Sequence, residues 1–135
     1  MMRLTTLGNG LRVASRPMQS VETIAVGLYA ATGSRHEPAR LNGLAHLFEH
    51  MVFKGGGGRS ARDISELVED VGGDLNASTD RELTAFYASL LASDLGLGVR
   101  LLADLIRRPH FEPGHLELEK RVVLQELAEA QDTAA

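Results

Sequence analysis

Cysteine is absent from this 135-residue chain. That excludes disulfides, thiolate catalysis and cysteine-based zinc sites, so any transition-metal site must be assembled from His, Asp and Glu. Long apolar runs are missing too. No stretch approaches the roughly 18 uninterrupted apolar residues of a membrane span, and the opening MMRLTTLGNG holds no apolar h-region, so a cytoplasmic protein with no membrane partner is expected. Positive charge is scarce: 14 Lys and Arg stand against 18 Asp and Glu, for a formal charge of −4. Without a dense Lys/Arg stripe to displace phosphate counterions, no nucleic-acid partner is expected. Arg107 and Arg108 close an apolar helical pattern, where they complement a helix C-terminus.

What remains is the profile of a soluble globular domain, 44% apolar and 24% charged, long enough for one core and too short for two. LTTLGNGLRVASRP predicts a β-hairpin around Asn9-Gly10. TIAVGLYAA (23–31) reads as a buried strand. The polar loop GSRHEPARLNG leads to a helix from Leu44, with Asn42 as its expected N-cap. KGGGGRS ends that helix and is expected to be a loop, because four glycines hold helical backbone poorly. Ser60 and Asp63 form a capping pattern ahead of Ile64, Leu67, Val68 and Val71. DLNAST and ELTAFYASLL read as two further strands. A helix capped by Ser93 is expected to run to Arg108 with Leu95, Val99, Leu102 and Ile106 inward, and a last helix follows Pro113 over about 114–131. Strands and helices that do not alternate regularly predict an α+β fold, with an antiparallel sheet packed by helices.

The chemistry concentrates in HLFEH (46–50). On a helix, His46 and His50 lie one turn apart on one face and can aim their imidazoles at one point. Glu49 lies beside them, placed to accept a proton from a water made acidic by a metal. A helix with Leu44, Leu47, Phe48, Met51 and Val52 on its core side and His46, Glu49, His50 and Phe53 on another face allows a second reading, a merely solvated polar face. A catalytic zinc site needs a third protein ligand. His36, His110 and His115 are in loops or at a helix start and read as surface residues. In the last helix, Glu119 and Glu126 share a face two turns apart, flanked by Val122 and Val123, which suggests partial burial and a need for a cation or a hydrogen-bond partner. Glu117 and Glu129 read as solvated.

HLFEHMVFKG, with GSRHEP and NGLAH upstream and VGGDLNASTDRELTAFYA and LEKRVVLQE downstream, resembles the pitrilysin/insulinase family of zinc metallopeptidases, whose H-x-x-E-H order is that of the inverzincins. The likeness is greatest to bacterial relatives of the mitochondrial processing peptidase β-subunit and runs from about Leu4 onward. It implies that one Zn²⁺ is held by His46, His50 and Glu126. In the catalytic set it makes Glu49 the general base and Glu119 a supporting carboxylate that orients a ligand. It implies that Asn76 and Ala77, on the DLNAST strand, meet the backbone of an extended peptide or unfolded polypeptide by β-strand addition. Family members close two similar halves, clamshell fashion, around the substrate. Residues 1–135 accordingly read as one incomplete N-terminal catalytic domain in one half, with a second half or partner subunit expected. KGGGG departs from the family's Lys-Gly-Thr continuation. The function implied is a zinc-dependent endopeptidase; the alternatives are a metal-binding but inactive fragment or subunit that needs its partner half, and a structural α+β domain. Two histidines and a glutamate also suit divalent metals other than zinc.

Overall fold

The computed structural model describes residues 1–133, with side chains described through Glu129. Strands β1 (Arg3–Thr6) and β2 (Arg12–Ser15) form the expected hairpin, exposed along its length. The central sheet is antiparallel, in the order β3 (Thr23–Ala30), β7 (Thr84–Leu91), β6 (Asp74–Thr79). Four helices complete the α+β fold: α1 (Leu44–Val52), α2 (Ala61–Asp70), α3 (Leu95–Arg107) and α4 (Pro113–Thr133). Among the described residues, no helix is long and apolar enough to cross a membrane.

The core lies between one face of this sheet and the helices. Leu28, Phe86 and Ala77 stand in one row across β3, β7 and β6. Val52 of α1, Ile64 of α2 and Leu102 and Leu105 of α3 cover that row. The opposite face is open, with Tyr29 65% exposed. One covered face and one wet face suit an antiparallel sheet.

Several local expectations change. β3 is an edge strand that alternates between exposed and half-buried residues, rather than a buried one. The apolar run misled because it contains small residues (Ala25, Gly27) that tolerate the wet face. KGGGGRS is not a plain loop: β4 (Gly55–Gly56) pairs with β5 (Arg59–Ser60), and Gly56 also bridges to Pro109. Asp104 ties this hairpin to α3 by accepting from Arg59 at 3.0 Å and from Arg108. Ser60 caps α2 as expected, its hydroxyl accepting from the Asp63 amide at 3.2 Å.

The α3 N-cap is Asp94 rather than Ser93, after a short 3-10 turn. Its buried residues are Gly98, Leu101, Leu102 and Leu105, whereas Leu95 and Val99 are exposed. The helix turns this way because it approaches the sheet at Gly98, where an added Cβ would stand 2.5 Å from Leu90 Cδ1 and 3.2 Å from Val26 Cγ1. Nor does Asn42 cap α1. The N-cap is Gly43, which has no side chain to offer, and Glu37 supplies the acceptor from six residues upstream.

Candidate metal centre

Helix α1 carries His46 and His50 one turn apart, and their rings meet edge to face with centroids 4.7 Å apart. The two Nε2 atoms are 3.1 Å apart. At its other nitrogen, His50 Nδ1 stands 3.0 Å from Glu119 Oε2. A carboxylate only accepts, so the network assigns the hydrogen to Nδ1 and leaves a lone pair on Nε2. Lys54 holds the second oxygen of that carboxylate, with Nζ 2.7 Å from Glu119 Oε1. Burial alone would raise the Glu119 carboxyl above its ordinary range, but the hydrogen bonds from Lys54 and His50, with the charge of Lys54, outweigh it and the net shift is downward.

The third donor comes from α4. Glu126 Oε2 lies 3.3 Å from His46 Nε2 and 3.6 Å from His50 Nε2. Val123, buried between Glu119 and Glu126 on the same helix face, anchors α4 at this point; Val122, expected to flank it, is exposed. His46, His50 and Glu126 each offer one ligand atom within 4.8 Å of the others. Ligand atoms about 2.0–2.1 Å from a tetrahedral zinc stand roughly 3.3 Å from one another. The separations here are 3.1, 3.3 and 3.6 Å. The donor types, tautomer and spacing therefore fit a single metal ion. The Glu126 side chain is 46% exposed, so the cluster is open to solvent on that side. Space for a fourth ligand distinguishes a catalytic metal site from a closed structural one.

Glu49, on the same helix, is half-buried, and its side chain has no hydrogen-bond or ion-pair partner among the described residues. Asn76 and Ala77 lie on β6, which packs against α1 and has β7 on one side only. Ala77 is buried in the core row, while Asn76 is exposed and its Oδ1 accepts from the Ala77 amide at 2.8 Å. Neither residue is hydrogen-bonded to the histidine–carboxylate cluster.

The other histidines stand apart from this cluster. His36 Nδ1 accepts from the Gly33 amide at 3.1 Å, His110 stitches the β4–β5 hairpin through Gly58, and His115 is half-buried in the first turn of α4. Two residues that shape the site escaped the sequence reading. Lys54 follows His50 by four residues, a helical spacing that was visible in principle but masked by its position at the start of a glycine run. Glu37 sits in an aperiodic loop and gave no signal.

A family model described as insulinase (peptidase family M16) matches residues 12–135. The probable mitochondrial-processing peptidase subunit beta of Arabidopsis thaliana is 43% identical over 129 residues, which is 96% of this chain and 24% of that protein. An uncharacterized zinc protease of Bacillus subtilis, YmxG, is 37% identical over 132 residues, covering 98% of this chain and 32% of that protein. The crystal structure of a protease from Helicobacter pylori matches with a TM-score of 0.86 at 29% identity, over 93% of this chain and 30% of that one. The chain thus spans about a quarter to a third of the length of these proteins.

Proposed function

Because the chain belongs to the insulinase family of peptidases, family M16, we propose that it is the metal-binding segment of a zinc-dependent endopeptidase that cleaves peptides held in extended form. One observation carries this reading: three ligand atoms from α1 and α4 converge at the spacing of a tetrahedral site, and a buried carboxylate sets the tautomer of one of them. Zinc is favoured over other divalent ions because a relative 37% identical is named a zinc protease.

In this reading His46, His50 and Glu126 hold the ion. A zinc ion held there would supply Lewis acidity to polarise the scissile carbonyl and to make water reactive near neutral pH. Glu119 keeps a proton on Nδ1 of His50, so Nε2 stays available as a ligand. Glu49 takes a proton from the attacking water onto its carboxylate and passes it to the amide nitrogen as the C–N bond breaks. The outer edge of β6 at Asn76 and Ala77 accepts the substrate backbone as an added strand, which is why extended or unfolded chains are the substrates of choice.

The test is metal content together with cleavage of an unfolded polypeptide. One zinc per chain is expected, and Glu49→Gln should keep the zinc while lowering cleavage by about 10² or more. Carefully prepared protein that takes up no zinc refutes the reading.

A second reading is favoured by the share of its relatives that the chain covers, and by the name of the Arabidopsis relative, a subunit. Here the segment binds metal but cleaves only beside a second half or partner subunit. Activity that appears only when the remaining polypeptide is supplied selects it.

A further inference from the structure

Resting on that proposed metal centre, we infer that Glu37 is a positioning residue: its carboxylate is a strut that fixes the ligand-bearing helix α1 against the turn between β6 and β7. Gly43, Leu44 and the residues after them begin α1 with unpaired amides, and the first intrahelical bond is Leu47 N–H to Gly43 O at 2.9 Å. Glu37 takes two of these amides at once. Its Oε2 accepts from Gly43 at 2.7 Å and its Oε1 from Ala45 at 2.6 Å. A carboxylate also suits the positive end of the helix. Ala45 directly precedes the ligand His46.

The other end of the strut is anchored in the sheet. Ser34 N–H donates to Asp80 O at 3.0 Å and Arg35 N–H donates to Arg81 O at 3.0 Å, so the segment before Glu37 lies along the β6–β7 turn. At Gly33 the approach is so close that an added Cβ would stand 2.3 Å from Asp80 O. Thr84 Oγ1 reinforces it by donating to Thr32 O at 2.9 Å. His36 closes the short turn by accepting from the Gly33 amide at 3.1 Å. The chain of contacts therefore runs from the end of the proposed substrate strand, through residues 33–37, to the first turn of the metal-binding helix.

This matters because α1 has only nine residues. A helix that short is marginal by itself and takes its axial position from its surroundings. A slip of one residue moves it by about 1.5 Å. That would spoil the 3.3 Å spacing between His46 and Glu126, which sit on different helices. A simple cap would stabilise α1 without deciding where the histidines point. A strut decides both.

The experiment compares wild type, Glu37→Ala and Glu37→Gln in the 135-residue chain. Zinc affinity is read by chelator competition, ligand geometry by the visible absorption of the Co²⁺-loaded protein, and folding by circular dichroism. Glu37→Ala should stay folded yet bind zinc about 10-fold more weakly or worse, with an altered Co²⁺ spectrum, as expected when a ligand-orienting contact is lost. Glu37→Gln retains one acceptor oxygen and should fall between the two. A folded Glu37→Ala with wild-type affinity and spectrum overturns the inference. Should Glu37→Ala fail to fold, wild-type affinity and spectrum in Glu37→Gln overturn it instead. A wild-type chain that binds neither ion refutes the metal centre itself, and this inference with it.

Discussion

Replacing Glu119 by Gln keeps the side-chain shape and removes the charge, and the structure limits what the amide can do. Glu119 now accepts twice, from His50 Nδ1 at 3.0 Å and from Lys54 Nζ at 2.7 Å. Gln has one acceptor oxygen and an NH₂ that only donates. If its oxygen faces His50, the NH₂ meets the Lys54 ammonium, donor against donor. If the oxygen faces Lys54, the NH₂ meets His50 Nδ1, and the imidazole must carry its hydrogen on Nε2, the atom aimed at His46 and Glu126. The first arrangement loses a hydrogen bond involving a charged group, which is about 1.5–3 kcal/mol; the second keeps both contacts but puts the hydrogen on the nitrogen that would face a metal. If the loss falls on the metal-competent state, zinc affinity drops about 10- to 100-fold, as for other contacts that orient a ligand. Chelator competition measures the affinity, and ¹⁵N chemical shifts of the His50 ring report the tautomer. A Glu119→Gln protein with wild-type affinity and an unchanged Nδ1–H tautomer would falsify the idea that Glu119 sets the state of His50.

Two further outcomes are expected. Phe86→Ala, at a side chain 2% exposed in the middle strand, should destabilise the fold by about 3–5 kcal/mol in urea denaturation. The hydrogen bond and charge of Arg108, with the charge and hydrogen bond of Arg59, hold the Asp104 carboxyl below its ordinary 3.8 despite its burial. Because the folded value is the lower one, this stabilisation is present above about pH 4 and is lost as pH falls through the folded value. The melting temperature should therefore drop below pH 4, and Asp104→Asn, lower at neutral pH, should flatten that acid limb.

Much of the molecule was legible wherever the signal was local and periodic. His46 and His50 at helical spacing, Glu119 and Glu126 two turns apart, the Asn9-Gly10 hairpin and the Ser60–Asp63 cap all follow from short-range geometry. What failed needed knowledge of a distant neighbour. On α3, Leu102 and Ile106 face the core as expected, but Leu95 and Val99 are exposed because Gly98, which looks like a weak point in a helix, is where that helix touches Leu90 and Val26. The edge position of β3 depends on strand order, which its own residues do not encode. Glu37 could not be seen as the partner of α1, because an aperiodic loop gives no sign of where its carboxylate points. Even the assignment of Glu126 as ligand and Glu119 as support came from family resemblance; their spacing alone left both open.

The centre is built from few parts, which separates two properties that are usually measured together. All three candidate ligands and the carboxylate behind His50 come from α1 and α4, joined where Val123 is buried. Among the described residues, no strand contributes a ligand atom. The proposed substrate edge belongs instead to β6, linked to the ligands through the packing of α1 and through residues 33–37. In the proposed reading, metal affinity would depend on one helix–helix contact and its buttresses, whereas cleavage would also depend on how the sheet sits relative to α1. A substitution confined to the β6 edge should leave the metal bound and weaken substrate capture. One that loosens α1 should disturb both, since the same helix carries the two histidines and Glu49.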